Sequence, residues 1–159
     1  MAYLTWKLLH VLSVILFVGN ITTGIFWAAS AVRSNDYRAM GSTFEGIIRA
    51  DRWFTTPSVI GLTVSGIVAA MTGGLSILGT GWILWGTALL VISGAAFGMR
   101  VAPLQRELVR LARDAAGDAA AQTAFRERYR SWQIWGGIAT LAPLLAVVVM
   151  VLKPHLPAF

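Results

Sequence analysis

The chain has 159 residues, of which 57% are apolar and 13% charged, with a net charge of +6 and no cysteine. That balance lies far from soluble averages and marks an integral membrane protein, while the missing cysteine excludes disulfides, thiolate metal sites and thiol catalysis. Nucleic acid is excluded as a partner because the basic residues border apolar stretches instead of gathering on a soluble face.

A bilayer core about 30 Å thick is crossed by a helix of about 20 apolar residues, and four stretches qualify, at about 4–32, 55–78, 82–101 and 132–152. The first contains Ala29, Ser30 and Ala31, which resemble a signal-peptidase site. Signal-peptide apolar regions run to about 7–15 residues, however, and this one is longer and holds Asn20, so the segment is expected to be retained. Along it His10, Ser13, Phe17, Asn20, Gly24 and Trp27 recur in steps of three and four and share one helix face. Polar groups in lipid need partners, so this face is predicted to point inward.

Residues 33–54 form a basic loop in which Ser42 and Glu45 have capping-box spacing. An amphipathic helix is predicted from Thr43 to about Trp53, laying Phe44, Ile47 and Ile48 against the bundle or the headgroups. The second span offers Ser58, Gly61, Ser65 and Ala69 at a spacing that lets helix backbones approach. A short Gly-Thr-Gly link leads to the third span, which ends in Gly94-xxx-Gly98. In the second basic loop, 102–131, Leu104, Leu108, Leu111 and Ala115 recur at helical spacing, Arg110 lies four residues from Asp114, and Gly117 is expected to interrupt the helix. This helix is read as solvated or interfacial, with a basic face suited to a partner or to anionic lipid. In the fourth span Gly136 and Gly137 are expected close to a neighbouring backbone, and Pro143 is expected to kink the helix. Trp6, Trp53, Trp82 and Trp132 fall near span ends, as interfacial anchors do.

Four arginines lie in the first basic loop and seven run from Arg100 to Arg130 around the second, whereas Lys7 and Lys153 are the only basic side chains on the other side. By the positive-inside rule both termini lie outside and the basic loops in the cytoplasm. The predicted architecture is thus all-α: a single domain, 1–159, forming an antiparallel up-down four-helix transmembrane bundle with amphipathic cytoplasmic helices. The expected setting is the bacterial cytoplasmic (inner) membrane, with lipids, further copies of the chain and a redox protein as partners.

No carboxylate lies within the four spans, which leaves proton-coupled transport and paired acid–base hydrolysis without their usual groups. His10 is the one ionisable side chain well inside them, and such a group is a functional candidate by default. Two readings stand: a neutral imidazole hydrogen-bonded to a Ser or Asn side chain, or a ligand to haem or metal. Met71 and Met150 reach similar depth, so a His/Met axial pair is conceivable in one chain. A bis-His site would need His10 of two subunits or the outer-tail His155.

The stretches KLLHVLSVILFVGN, RWFTTPSVIGLTVSGI, MRVAPLQREL and VVVMVLKP, in this order, resemble an uncharacterised family of bacterial four-helix integral membrane proteins. That family is in turn distantly similar to HemJ-type protoporphyrinogen oxidases and to the copper resistance protein D membrane domain. The HemJ-type Lys-x-x-His pattern is matched by Lys7 and His10, and its Arg-rich approach to a Thr-Pro by Arg49, Arg52, Thr56 and Pro57. The resemblance implies a haem-linked role for His10. The third-helix lysine of HemJ-type enzymes has no counterpart in the span WILWGTALLVISGAAFGM, so haem binding is implied more strongly than porphyrinogen oxidation. The candidate cofactor site is therefore His10, Met71, Met150, Lys7 and Asn20, with His10 as metal ligand and haem b as cofactor. A cofactor-free accessory subunit, or copper handling through His10 and the methionines, is the alternative.

Overall fold

The computed structural model describes residues 1–115 and 117–159, and these are all-helical with no strand. Helix α1 spans Ala2–Arg33. Helix α2 (Tyr37–Ala50) runs through a π-helical turn (Asp51–Thr55) into α3 (Thr56–Thr72). Likewise α4 (Gly81–Ala96) runs through a second π-helical turn (Phe97–Val101) into α5 (Ala102–Asp114), and α6 spans Ala119–Leu152. The described residues thus form four rods, each long and apolar enough to cross a membrane, as the hydropathy pattern predicts.

The basic segments differ from expectation in one respect: they extend the span helices instead of folding as separate pieces. Helix α2 starts at Tyr37, not Thr43, because Asp36 caps it, its carboxylate accepting from the backbone N–H of Arg38 at 2.9 Å and of Ala39 at 3.3 Å. Asn35, at a left-handed φ of 54°, turns the chain into that cap. Ser42 and Glu45 therefore lie in mid-helix, where Glu45 pairs with Arg113 of α5. The predicted break at Gly117 is present, with φ at 96° between α5 and α6.

Proline explains the two π-helical turns. Its ring crowds the carbonyl four residues back and offers no N–H to it, and Pro57 and Pro103 each stand just after such a turn. The residue before each proline, Thr56 or Ala102, donates its N–H five residues back, to the carbonyl of Asp51 or Phe97. Pro143 finds another solution. Helix α6 runs through it unbroken, and the carbonyl it frees, that of Ala139, accepts the buried Ser93 hydroxyl of α4 at 2.6 Å.

Packing divides the molecule into two halves. Toward the chain termini α1 lies along α3 and α4 along α6, while among the described residues neither α3 and α4 nor α3 and α6 approach one another. At the basic end α2 and α5 pack together, α5 packs on α6, and the halves interlock. The core sits there, around Phe44, Leu108 and Phe125, each essentially inaccessible. Phe44 meets the rings of Phe125, Tyr129 and Trp132 edge-on. Trp132 is accordingly not the interfacial anchor expected of it: it is 4% exposed, because α6 begins well before it and carries it into this core. Trp53, 74% exposed, remains placed as an anchor would be.

Candidate functional site

Where the halves meet, a buried carboxylate sits in the middle of a rod. Asp51, 8% exposed, opens the first π-helical turn and gathers side chains from three rods. Its Oδ1 accepts from the Thr55 hydroxyl at 2.8 Å and from Asn20 Nδ2 of α1 at 3.4 Å; its Oδ2 accepts from Gln105 Nε2 of α5 at 2.9 Å. Asn20 also donates to Thr55 Oγ1 at 2.8 Å, which closes the network. Thr55 and Gln105 are as buried as Asp51. The widened turn matters to this geometry, since an extra residue per turn re-aims the side chains beside it, and π-bulges recur at functional sites.

These four polar residues are among those lining a cavity of about 600 Å³, within the range of about 300–1,000 Å³ common to small-molecule sites. Phe17, Trp27, Phe97 and Trp132 supply apolar walls. Trp27 and Ile60, both lining residues, are more than half exposed, so the cavity communicates with the apolar surroundings of the rods.

Glycines on its walls are distinctive. A Cβ placed on Gly46, Gly94 or Gly136 would meet no atom within 4 Å. The close backbone approach expected at Gly94-xxx-Gly98 and at Gly136 and Gly137 is therefore absent; these positions open space. Glycine in a helix interior costs about 0.5–1 kcal/mol relative to alanine, and here no packing within the chain offsets that cost. The buried indole N–H of Trp132 likewise has no hydrogen-bond partner among the described residues.

The predicted first-span face points inward from His10 to Gly24, whereas Trp27, its last member, is 56% exposed. His10 and Ser13 fit against Gly66 and Gly61 of α3, where a Cβ would come within 2.9 Å of His10 Nδ1 and 2.8 Å of Ser13 Oγ. Phe17 is buried, Asn20 joins the Asp51 network, and Gly24 faces Ile47. His10 Nδ1 lies 2.7 Å from the carbonyl oxygen of Leu62. A carbonyl only accepts, so Nδ1 carries the proton and a neutral ring keeps Nε2 as an acceptor.

The other candidates are dispersed. Met71 is 70% exposed at the end of α3, on the same pair of rods as His10. Met150 belongs to the other pair, where its side chain packs against Gly86. Lys7 is exposed, with its ammonium 5.8 Å from the Tyr3 ring. His155 lies in a terminal segment held to the α4 side by the Trp85 Nε1–Pro157 carbonyl bond at 3.1 Å and the Phe159–Leu78 backbone bond at 3.2 Å. Among the five predicted site residues only Asn20 enters the Asp51 cluster.

Asp51, Thr55 and Gln105 were not legible as site residues, because Asp51 counts as a loop charge once the span is started at about 55. The signal was present: Asp51 and Thr55 are four residues apart, just ahead of Thr-Pro, and so share a face on any helix that continues through them.

No curated protein and no solved structure matches the chain. A family model described as a predicted integral membrane protein (DUF2269) matches residues 4–154. The family's description agrees with four apolar rods, and the match spans nearly every residue of them: the chain belongs to the DUF2269 family of integral membrane proteins.

Proposed function

We propose that this protein holds a membrane-soluble amphiphilic molecule in the cavity between its two pairs of rods, with the polar end of the molecule at Asp51 and its apolar part between Phe17, Trp27, Phe97 and Trp132. One observation carries the reading: a cavity of about 600 Å³, lined by a buried polar cluster, whose glycines at 46, 94 and 136 leave room that no part of the chain takes up. A packing bundle alone gives no reason for glycine at positions 94 and 136, since alanine would fit there and favour the helix. The role is one of binding, as a carrier or accessory subunit of a membrane process.

The test uses the protein purified in lipid nanodiscs and mass spectrometry of the small molecules that travel with it. A discrete amphiphile is expected with the native chain and not with the Gly94→Leu/Gly136→Leu double variant, at matched thermal stability. Equal small-molecule content in both would refute the cavity as a binding site.

A second reading, haem b at His10, is favoured by the Nδ1 bond to Leu62, because haem- and metal-binding histidines are commonly oriented by such a bond to the nitrogen that stays free of metal. Of the residues present, His10 would hold the group; Met71 is exposed at the end of α3 and Met150 packs on Gly86 in the other pair of rods, so the structure does not bring either of them to it. Bound haem would supply one-electron redox chemistry, for which His10 provides a fixed nitrogen and Lys7 a cation near the chain-terminal end. A Soret band lost in His10→Ala supports this reading; a colourless protein sinks it. In both readings the basic end faces the cytoplasm of a bacterial cell and both termini lie outside, so a periplasm-active reporter fused after Phe159 is expected to work and a cytoplasm-active one to fail.

A further inference from the structure

We infer that the cavity's ligand is cationic: a lipophilic ammonium or guanidinium compound whose charge pairs with Asp51, the inference resting on the cavity being a binding site. A carboxylate ion offers about four acceptor positions, and Asn20 and Thr55 occupy two on Oδ1 while Gln105 occupies one on Oδ2. One position on Oδ2 is left, on a side chain that lines the cavity.

All three donors are neutral. Among the described residues the ion pairs are Arg113–Glu45 and Arg128–Glu107, neither of which involves Asp51. Arg49 and Arg52, its basic neighbours in sequence, are both exposed to the surroundings. A buried ionised carboxylate is costly unless a charge of opposite sign accompanies it, and neutral donors repay only part of that cost. The chain itself supplies the hydrogen bonds and withholds the counter-charge. A ligand bringing that charge would complete the set.

The walls suit the rest of such a ligand. Phe17, Trp27, Phe97 and Trp132 line the same cavity and take the ligand's apolar chain, which leaves the charged head to Asp51. An anionic or purely acceptor head group would meet the carboxylate with repulsion, which removes fatty acids and lipids whose head group carries no cation.

The experiment compares dodecylammonium with dodecanol, two probes of equal chain length, by saturable tryptophan-fluorescence change in phosphatidylcholine nanodiscs. Three forms of the full chain are used: native, Asp51→Asn and Gly94→Leu/Gly136→Leu. The expected result is saturable dodecylammonium binding that weakens about tenfold or more in Asp51→Asn, as loss of a charge-assisted bond requires. Dodecanol is expected to change by less than about threefold in the same variant, because the amide keeps the site's shape. If both probes bind the native chain and are blocked in the double glycine variant, yet Asp51→Asn leaves dodecylammonium unchanged, the cationic assignment is overturned while the cavity reading stands; Asp51 then simply carries its own proton. If neither probe binds saturably and the glycine variant behaves as the native chain, the cavity reading falls and the cationic assignment with it. Circular dichroism and melting of each variant separate these results from misfolding.

Discussion

The seams within each pair of rods and the cavity between the pairs use glycine in opposite ways. Toward the chain termini glycine is a packing device: Gly61 and Gly66 admit Ser13 and His10, Gly73 admits Tyr3, and Gly86 admits Met150. At the level of the Asp51 cluster, Gly46, Gly94 and Gly136 admit nothing from the chain. In the first region a missing Cβ lets two helices touch, and in the second it keeps them from filling the space between the pairs. The same residue type thus marks a seam within a pair of rods and a cavity wall between the pairs.

Five substitutions, in four experiments, break or sharpen that contrast. The largest effect is expected outside the cavity, in the core that fixes the two pairs relative to one another: Phe44→Ala should lower stability by about 3–5 kcal/mol, since Phe44 is wholly buried among three other rings. Urea or thermal unfolding in detergent measures it, and a loss under about 1 kcal/mol would mean that the aromatic cluster does not anchor the fold. Next comes Gly66→Leu, which drives a side chain into the His10 imidazole and should cost about 1–3 kcal/mol.

Ser93→Ala tests how α4 and α6 are joined. It should cost about 1–2 kcal/mol by stripping the Ala139 carbonyl of its donor, and Pro143→Ala should restore most of the loss by returning a backbone N–H to that carbonyl. Additive effects in the double variant would disprove the coupling. The smallest effect has the opposite sign. Gly136→Ala should raise stability by about 0.5–1 kcal/mol, because its Cβ meets no atom and alanine favours the helix. A destabilised Gly136→Ala would show that this wall is a packed seam like those within the pairs, and the contrast would disappear.

Much of the molecule was legible in residue pattern. Four apolar stretches of bilayer length announce four rods, and a stripe in steps of three and four announces the α1 face that meets α3. His10 stood out as an ionisable group in an apolar run, but its partner is the Leu62 backbone carbonyl and not the Ser or Asn side chain expected of a neutral imidazole, because small glycines on α3 bring the ring against that helix's backbone. The basic segments were legible as helical but not as continuations of the spans, because whether a π-helical turn or a break precedes Pro57 depends on local crowding that spacing does not encode.

What the amino-acid sequence determined alone is the class: length of apolar runs, helical periodicity and the absence of cysteine are properties of the chain itself, and they fix an all-helical membrane protein without thiol chemistry. Tertiary structure decided the site. Asp51, Asn20 and Gln105 are separated by 31 and 54 residues from one another along the chain and become neighbours only when three rods meet. Whether a glycine is filled or open depends likewise on what stands opposite it. Long-range packing supplies both, and no local pattern in the chain records it.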